Sequence, residues 1–226
     1  MTLDLHNFFK YYDDGNSNHV AAVQWLEDNL PAEFMDDSET EWIGIFRTKP
    51  PTPAVLDVPY FNQVDNYRDA HRTCNSSSCA MCLAFLKPGS IKGDDEYVKK
   101  VFAIGDTTDH AVQTKVLAGY GIKSHFSYNL SFADLDRELA AGRPVVIGIY
   151  HRGTLSAPSG GHMVVVIGKK GEDYVVNDPY GSLNDGYTGP VTNGKGAVYK
   201  KSDLMYRWLE KGKDKTGWGR IFNVKK

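Results

Sequence analysis

Apolar and polar positions change their rhythm twice along this chain. In HVAAVQWLEDNLP, Val20, Val23, Trp25, Leu26 and Leu30 keep roughly helical spacing until Pro31 stops the pattern, which predicts a helix over 18–29. An acidic stretch from Met35 to Glu41 and the proline-rich run from Thr48 to Pro53 follow. Consecutive prolines remove backbone donors and favour an extended chain, so a boundary is expected there, between a small helical N-terminal domain (1–52) and a larger one (53–226). AVLDVPYFNQ then reads as a short strand. CNSSSCAMCLAFL, from Cys74 to Leu86, reads as a half-buried helix, its serines in the first turn and its apolar residues beyond. Further helices are expected over 94–102 and over 109–118, the latter capped by Thr107 or Thr108 and ended by Gly119. Ser131 and Asp134 spell a capping box for LDRELAAG, which Gly142 closes.

From Pro144 the texture becomes PVVIGIY, HMVVVIG, YVVNDP and RIFNV, β-branched and aromatic runs separated by Gly, Lys and Asp turns. These predict an antiparallel sheet. Helices first and strands later describe an α+β domain rather than an alternating βαβ one. SAPSGG, before His162, reads as a flexible loop of the kind that serves as a lid.

Composition narrows the function. The chain has 226 residues, 41% hydrophobic and 24% charged, enough for an ordinary globular core. A net charge of −2 argues against nucleic acid as partner, because phosphate contacts need clustered Lys and Arg. The longest apolar stretch, Cys79 to Leu86, is far below the roughly 20 residues of a bilayer span, so no integral membrane segment is expected. MTLDLHNFFKYYDD shows no basic start followed by an apolar run, which leads to the expectation of cytoplasmic synthesis without a secretory signal. All three cysteines lie between Cys74 and Cys82, a spacing that suits local chemistry or a packed helix better than a disulfide framework.

The candidate chemistry follows from a register argument. If Lys169-Lys170-Gly171 is the hairpin loop, with Gly171 in the left-handed region, Gly168 faces Glu172 and His162 faces Asp178. Opposed residues share a face and sit within hydrogen-bonding reach; a one-residue slip substitutes Asn177 or Pro179. A histidine held by a carboxylate is poised as a general base. Cys74, at the start of an apolar helix where free amides and the macrodipole lower a thiol pKa, is the natural nucleophile. Cys79 and Cys82 fall in the apolar body of that helix and read as core. A zinc site formed by the three cysteines and a histidine is the alternative, though Cys79 is rotated roughly 140° from Cys74. His71 and His151 read as residues of the loops flanking the nucleophile and the base, which would bring them near the site, and Tyr60, Phe61, Tyr67, Tyr150, Tyr180 and Tyr187 lie close to the motifs, most of them expected in the core and some along a substrate groove.

VPYFNQ…CNSSSCAMCL, GGHMVVVIG and VVNDPYG resemble, in that order and over residues 55–182, the C39-like cysteine peptidases of papain fold. The resemblance implies a helical lobe packed on an antiparallel sheet, with Cys74 as nucleophile, His162 as base, Asp178 as orienting acid and Gln63 as oxyanion-hole donor. It implies a peptide substrate and no metal or organic cofactor. Asn75 and Ser76 depart from the Gly-Pro usual after the nucleophile, and ten residues separate Gln63 from Cys74, more than is common. The two ends of the chain are similar to segments of C39-like proteins of tailed bacteriophages. That similarity implies an endolysin cleaving peptidoglycan peptides, reaching the wall after membrane permeabilisation. A processing peptidase acting on a leader or virion protein, or an inactive C39-like binding module, are the alternatives.

Overall fold

A computed structural model describes residues 55–223 and His19. The chain divides into units Met1–Pro51 and Thr52–Lys226, and the elements below belong to the second. The helix expected over 18–29 lies outside the described residues, apart from His19, which is helical.

Among the described residues are five helices, α1 (Cys74–Leu86), α2 (Asp94–Ile104), α3 (His110–Gly119), α4 (Phe132–Ala140) and α5 (Lys201–Arg207). Six strands, β1 (Ser124–Leu130), β2 (Val145–Thr154), β3 (Ala157–Lys170), β4 (Asp173–Asn177), β5 (Ala197–Tyr199) and β6 (Gly217–Phe222), form one antiparallel sheet in the order β1-β6-β2-β3-β4-β5. The fold is the expected α+β arrangement. Among the described residues, no helix is long and apolar enough to cross a membrane.

The apolar runs of β2 and β3 are continuous because both faces of the sheet are buried. Val146, Met163, Val165 and Ile167 pack with Met81, Leu83, Tyr97 and Val116 of α1, α2 and α3. The alternate residues Val145, Ile147, Val164 and Val166 pack with Leu135 and Leu139 of α4, Leu204 of α5, and Trp208.

Several local expectations change. Asp109, not a threonine, caps α3, its carboxylate accepting from the Ala111 and Val112 amides at 2.7 and 3.4 Å. Asp is the stronger capping side chain, and Thr107 is occupied with Ser76. Within AVLDVPYFNQ, residues 55–62 make no ladder and Gln63 opens a 3-10 turn (Gln63–Asp65); Leu56 donates a backbone bond to Ile167 O at 2.8 Å. SAPSGG is not a loop: Ala157, Pro158 and Ser159 pair with Thr154, Gly153 and Arg152, so the segment is the outer arm of the β2–β3 hairpin. Gly160, at φ +70°, carries the irregularity in that arm that its composition suggested as a loop.

The β3–β4 register also differs. Lys170 faces Asp173 and Gly168 faces Val175, so the connection is the tighter Gly171-Glu172. Between Val166 and Gly168 the register shifts at Ile167, a β-bulge whose carbonyl takes the Leu56 amide. Val166 therefore faces Val176 rather than Asn177, and by period-two alternation Asp178, not Asn177, falls on the side shared by Val166, Val164 and His162. β4 ends at Asn177, so Asp178 is not directly opposite His162 but reaches it from just beyond the strand. Asn177 is used structurally: its Nδ2 donates to Val58 O, and its Oδ1 accepts from Gly196 N, both at 3.0 Å.

Where the sheet meets β6, close approach demands glycine. A Cβ on Gly148 would lie 2.1 Å from Trp218 Cζ3. Gly148→Ala is expected to lower unfolding stability by about 2 kcal/mol or more through overpacking, read by denaturant titration; an unchanged midpoint would contradict this packing.

Candidate active site

Cys74 is the first residue of α1, and the turn behind it is unusual in being both polar and fully buried. Ser77 donates to Asp94 Oδ2 at 2.6 Å and accepts from Asn66 Nδ2 at 2.9 Å. Ser76 lies 2.6 Å from Thr107 Oγ1 and accepts from Gln113 Nε2 at 2.9 Å, while the Asn75 amide meets His110 Nδ1 at 3.3 Å. Asn75 and Ser76, the two departures from the usual motif, thus tie the Cys74 turn to α3 and the loop before it. Burial, opposed by the Ser77 bond, pushes Asp94 up to about 6.

The turn docks where β3 has run out of partner. Past Val165, β4 no longer covers β3, and Met163 offers its backbone to α1: its carbonyl accepts from Ser78 Oγ at 3.0 Å and its amide bonds the Cys74 sulfur. Cys74 is thereby carried to the residue beside His162.

His162 donates from Nε2 to Asp178 Oδ1 at 2.6 Å, with side-chain exposures of 3% and 0%. Its remaining nitrogen, Nδ1, is left for Cys74, to which the ring is hydrogen-bonded. Asp178 is held by three further donors, Tyr180 N on Oδ1 at 2.9 Å and the Tyr199 and Tyr187 hydroxyls on Oδ2 at 2.6 and 3.1 Å. Burial and the Asp178 charge push both phenols well up, so they stay protonated donors. Tyr60 adds a hydroxyl bond to the Asp178 carbonyl at 2.9 Å.

Burial alone would favour neutral forms of both groups. It raises Cys74, but the His162 hydrogen bond and charge, with the Met163 and Asn75 amides, outweigh it and leave the thiol below its usual value. Burial likewise lowers His162, and the charge and hydrogen bond of Asp178, followed by Cys74, reverse this and raise it to about 10. The two shifts run in opposite directions, and each group favours the charged form of the other.

Three of the four predicted residues thus converge. Gln63 sits beside them: its buried side chain donates from Nε2 to Ala70 O, and its amide donates to Pro179 O, the residue after Asp178, both at 2.8 Å. One Nε2 proton remains uncommitted. Cys79 and Cys82 are fully buried in the core with their thiols pushed up by burial, apart from Cys74. Tyr180, Tyr187 and His151 lie near the motifs in sequence, but the hydroxyl bonds of Tyr187 and Tyr199 to Asp178 are not legible there, and Tyr199 carries no local signal.

The model of the Peptidase_C39 like family matches residues 55–216. A solved structure from Bacillus anthracis, assigned as a C39-like peptidase, is similar with a TM-score of 0.53 at 16% identity, covering 75% of this chain and 96% of that one. A double glycine motif protease from an AMS/PCAT transporter, solved with its leader peptide, gives 0.49 at 18% identity, over 74% and 91%. A search of curated proteins returned no significant match. With the family model spanning most of the chain and both the Cys74 helix and the His162 strand inside it, this protein belongs to the Peptidase_C39 like family.

Proposed function

We propose that the chain is a cysteine peptidase that hydrolyses amide bonds through Cys74, His162 and Asp178. The observation that carries this is the buried 2.6 Å bond between His162 and Asp178 beside a thiol held below its usual pKa. The Cys74 thiolate attacks the acyl carbon, and the uncommitted Gln63 Nε2 proton with the Cys74 backbone amide receives the oxyanion. The His162 Nδ1 proton passes to the departing amine as the C–N bond breaks, leaving a thioester. Neutral His162 then takes a proton from water, whose oxygen attacks the thioester and releases thiolate and acid. Asp178 keeps the ring oriented and its charged form stable throughout.

For the substrate we carry forward peptidoglycan peptides, supported by the similarity of both chain ends to segments of phage C39-like proteins. Purified peptidoglycan incubated with the protein is expected to release new amino groups, with fragments identified by mass. Intact peptidoglycan alongside cleavage of an isolated leader or virion peptide would replace the lysin with a processing peptidase.

Cys74→Ala should abolish hydrolysis with the fold retained, whereas Cys79→Ala and Cys82→Ala should keep activity and cost about 1–2 kcal/mol of stability through lost packing. Hydrolysis surviving Cys74→Ala would end the cysteine mechanism.

The rate should rise as Cys74 deprotonates, below the usual thiol range, and fall as His162 loses its proton near about 10. In Asp178→Asn the anion is gone while burial remains, so the alkaline limb should move down and turnover drop by more than about tenfold. Asn177→Ala, which removes the Val58 and Gly196 bonds, should cost stability, about 1–3 kcal/mol, rather than turnover. The reverse ranking in measured pH profiles would make Asn177 the orienting residue.

A further inference from the structure

A second histidine stands against the site. His151, on β2, packs edge-on to His162 with ring centroids 5.0 Å apart and planes at 83°, and edge-on to Tyr187 at 5.7 Å. Its Nε2 accepts from Arg152 Nε at 3.0 Å. A guanidinium has only donors and keeps its proton, so Nε2 must present a lone pair and the ring proton sits on Nδ1. That Nδ1 is buried and has no hydrogen-bond partner among the described residues. Buried donors are seldom left unpaired. Here the ring is placed by its neighbours' faces and edges, not by a bond that would turn it away.

The strand around His151 is fixed from outside. Ladder pairing between β2 and β3 skips His151, running from Tyr150 opposite Gly161 to Arg152 opposite Ser159. Arg207 of α5 closes the gap, donating from Nη1 to Tyr150 O at 2.8 Å and Arg152 O at 3.3 Å, and from Nη2 to Gly153 O at 3.2 Å. The backbone carbonyls on both sides of His151 are therefore clamped.

We propose that His151 is a positioning residue whose neutral ring shuts water away from the His162–Asp178 hydrogen bond and holds the His162 ring between Asp178 and Cys74. This rests on the cysteine-peptidase reading above. The charged groups facing it are Arg152 on its own strand, His162 on β3, Asp178 beyond β4 and Arg207 on α5. Burial first, then His162, Arg152 and Arg207, push His151 down to about 4 against the opposing pull of Asp178. It therefore stays uncharged down to about pH 4 and adds no repulsion to a protonated His162 above that.

The test compares wild type, His151→Ala and His151→Phe in the full chain by NMR, reading the His162 titration midpoint and the exchange of its Nε2 proton with water. Removing the ring should speed that exchange by about tenfold or more and move the His162 midpoint down from about 10. Phe, a ring without nitrogens, should restore both. An Ala variant that shifts neither quantity, or a Phe variant that restores neither, would overturn the proposal. A wild-type His162 midpoint at the ordinary histidine value would instead sink the ion-pair reading, independently of His151. Should His151→Ala fail to fold, His151→Leu against His151→Phe makes the same comparison.

Discussion

One extra residue in β3 decides which side chain meets His162. Side chains alternate across a strand with period two, so the identity of the side chain that meets His162 depends on whether the β3–β4 ladder carries an odd or an even offset. The Gly171-Glu172 connection by itself sets Val166 against Asn177; the bulge at Ile167 restores Val166 to Val176 and places Asp178 on the His162 side. The bulge is stabilised from outside the sheet, by the Leu56 amide on the Ile167 carbonyl. Leu56 belongs to the same extended segment that accepts Asn177 Nδ2 through Val58 O, so one stretch of chain holds both the bulge and the residue it turns away.

The same ladder explains how Cys74 arrives beside His162. Because β4 stops at Asn177, β3 has backbone groups to spare at Met163, and α1 takes them with Ser78 and Cys74. A helix whose first turn is Asn-Ser-Ser-Ser can be buried there only if each polar group finds a partner, since an unpaired one costs about 1–3 kcal/mol. Asn66, Asp94, Thr107, His110 and Gln113 supply those partners from four separate segments. Asp178 is handled in the same way. A carboxylate at 0% exposure is tolerated because His162, Tyr180, Tyr187 and Tyr199 all donate to it.

How much of this was legible depended on range. The bounds of α1 could be read directly, because Cys-Asn-Ser-Ser-Ser and the apolar run after it are local signals, and so could the capping box at Ser131. The pairing of His162 with Asp178 was anticipated on a register that the structure replaces: the connection is shorter than assumed and the bulge offsets the difference in parity. Bulges depend on partners far along the chain, here Leu56, and leave little trace in the strand's own residues. β1, with its half-exposed SHFSYNL, and the short β5 and α5 were likewise invisible to periodicity. Tyr199 carries no local signal, and Tyr187 reads only as an aromatic near the Asn-Asp-Pro motif, until folding brings their hydroxyls to one carboxylate.

The central claim is that Cys74 and His162 form a thiolate–imidazolium pair. The most direct test is the pH dependence of Cys74 alkylation by iodoacetamide in the Cys79→Ala, Cys82→Ala background, since only thiolate reacts. The account predicts a rate already on its plateau well below the ordinary thiol range, with the low-pH half-point displaced upward in Asp178→Asn. A rate that climbs only through the ordinary thiol range, identically with and without the Asp178 carboxylate, would contradict it.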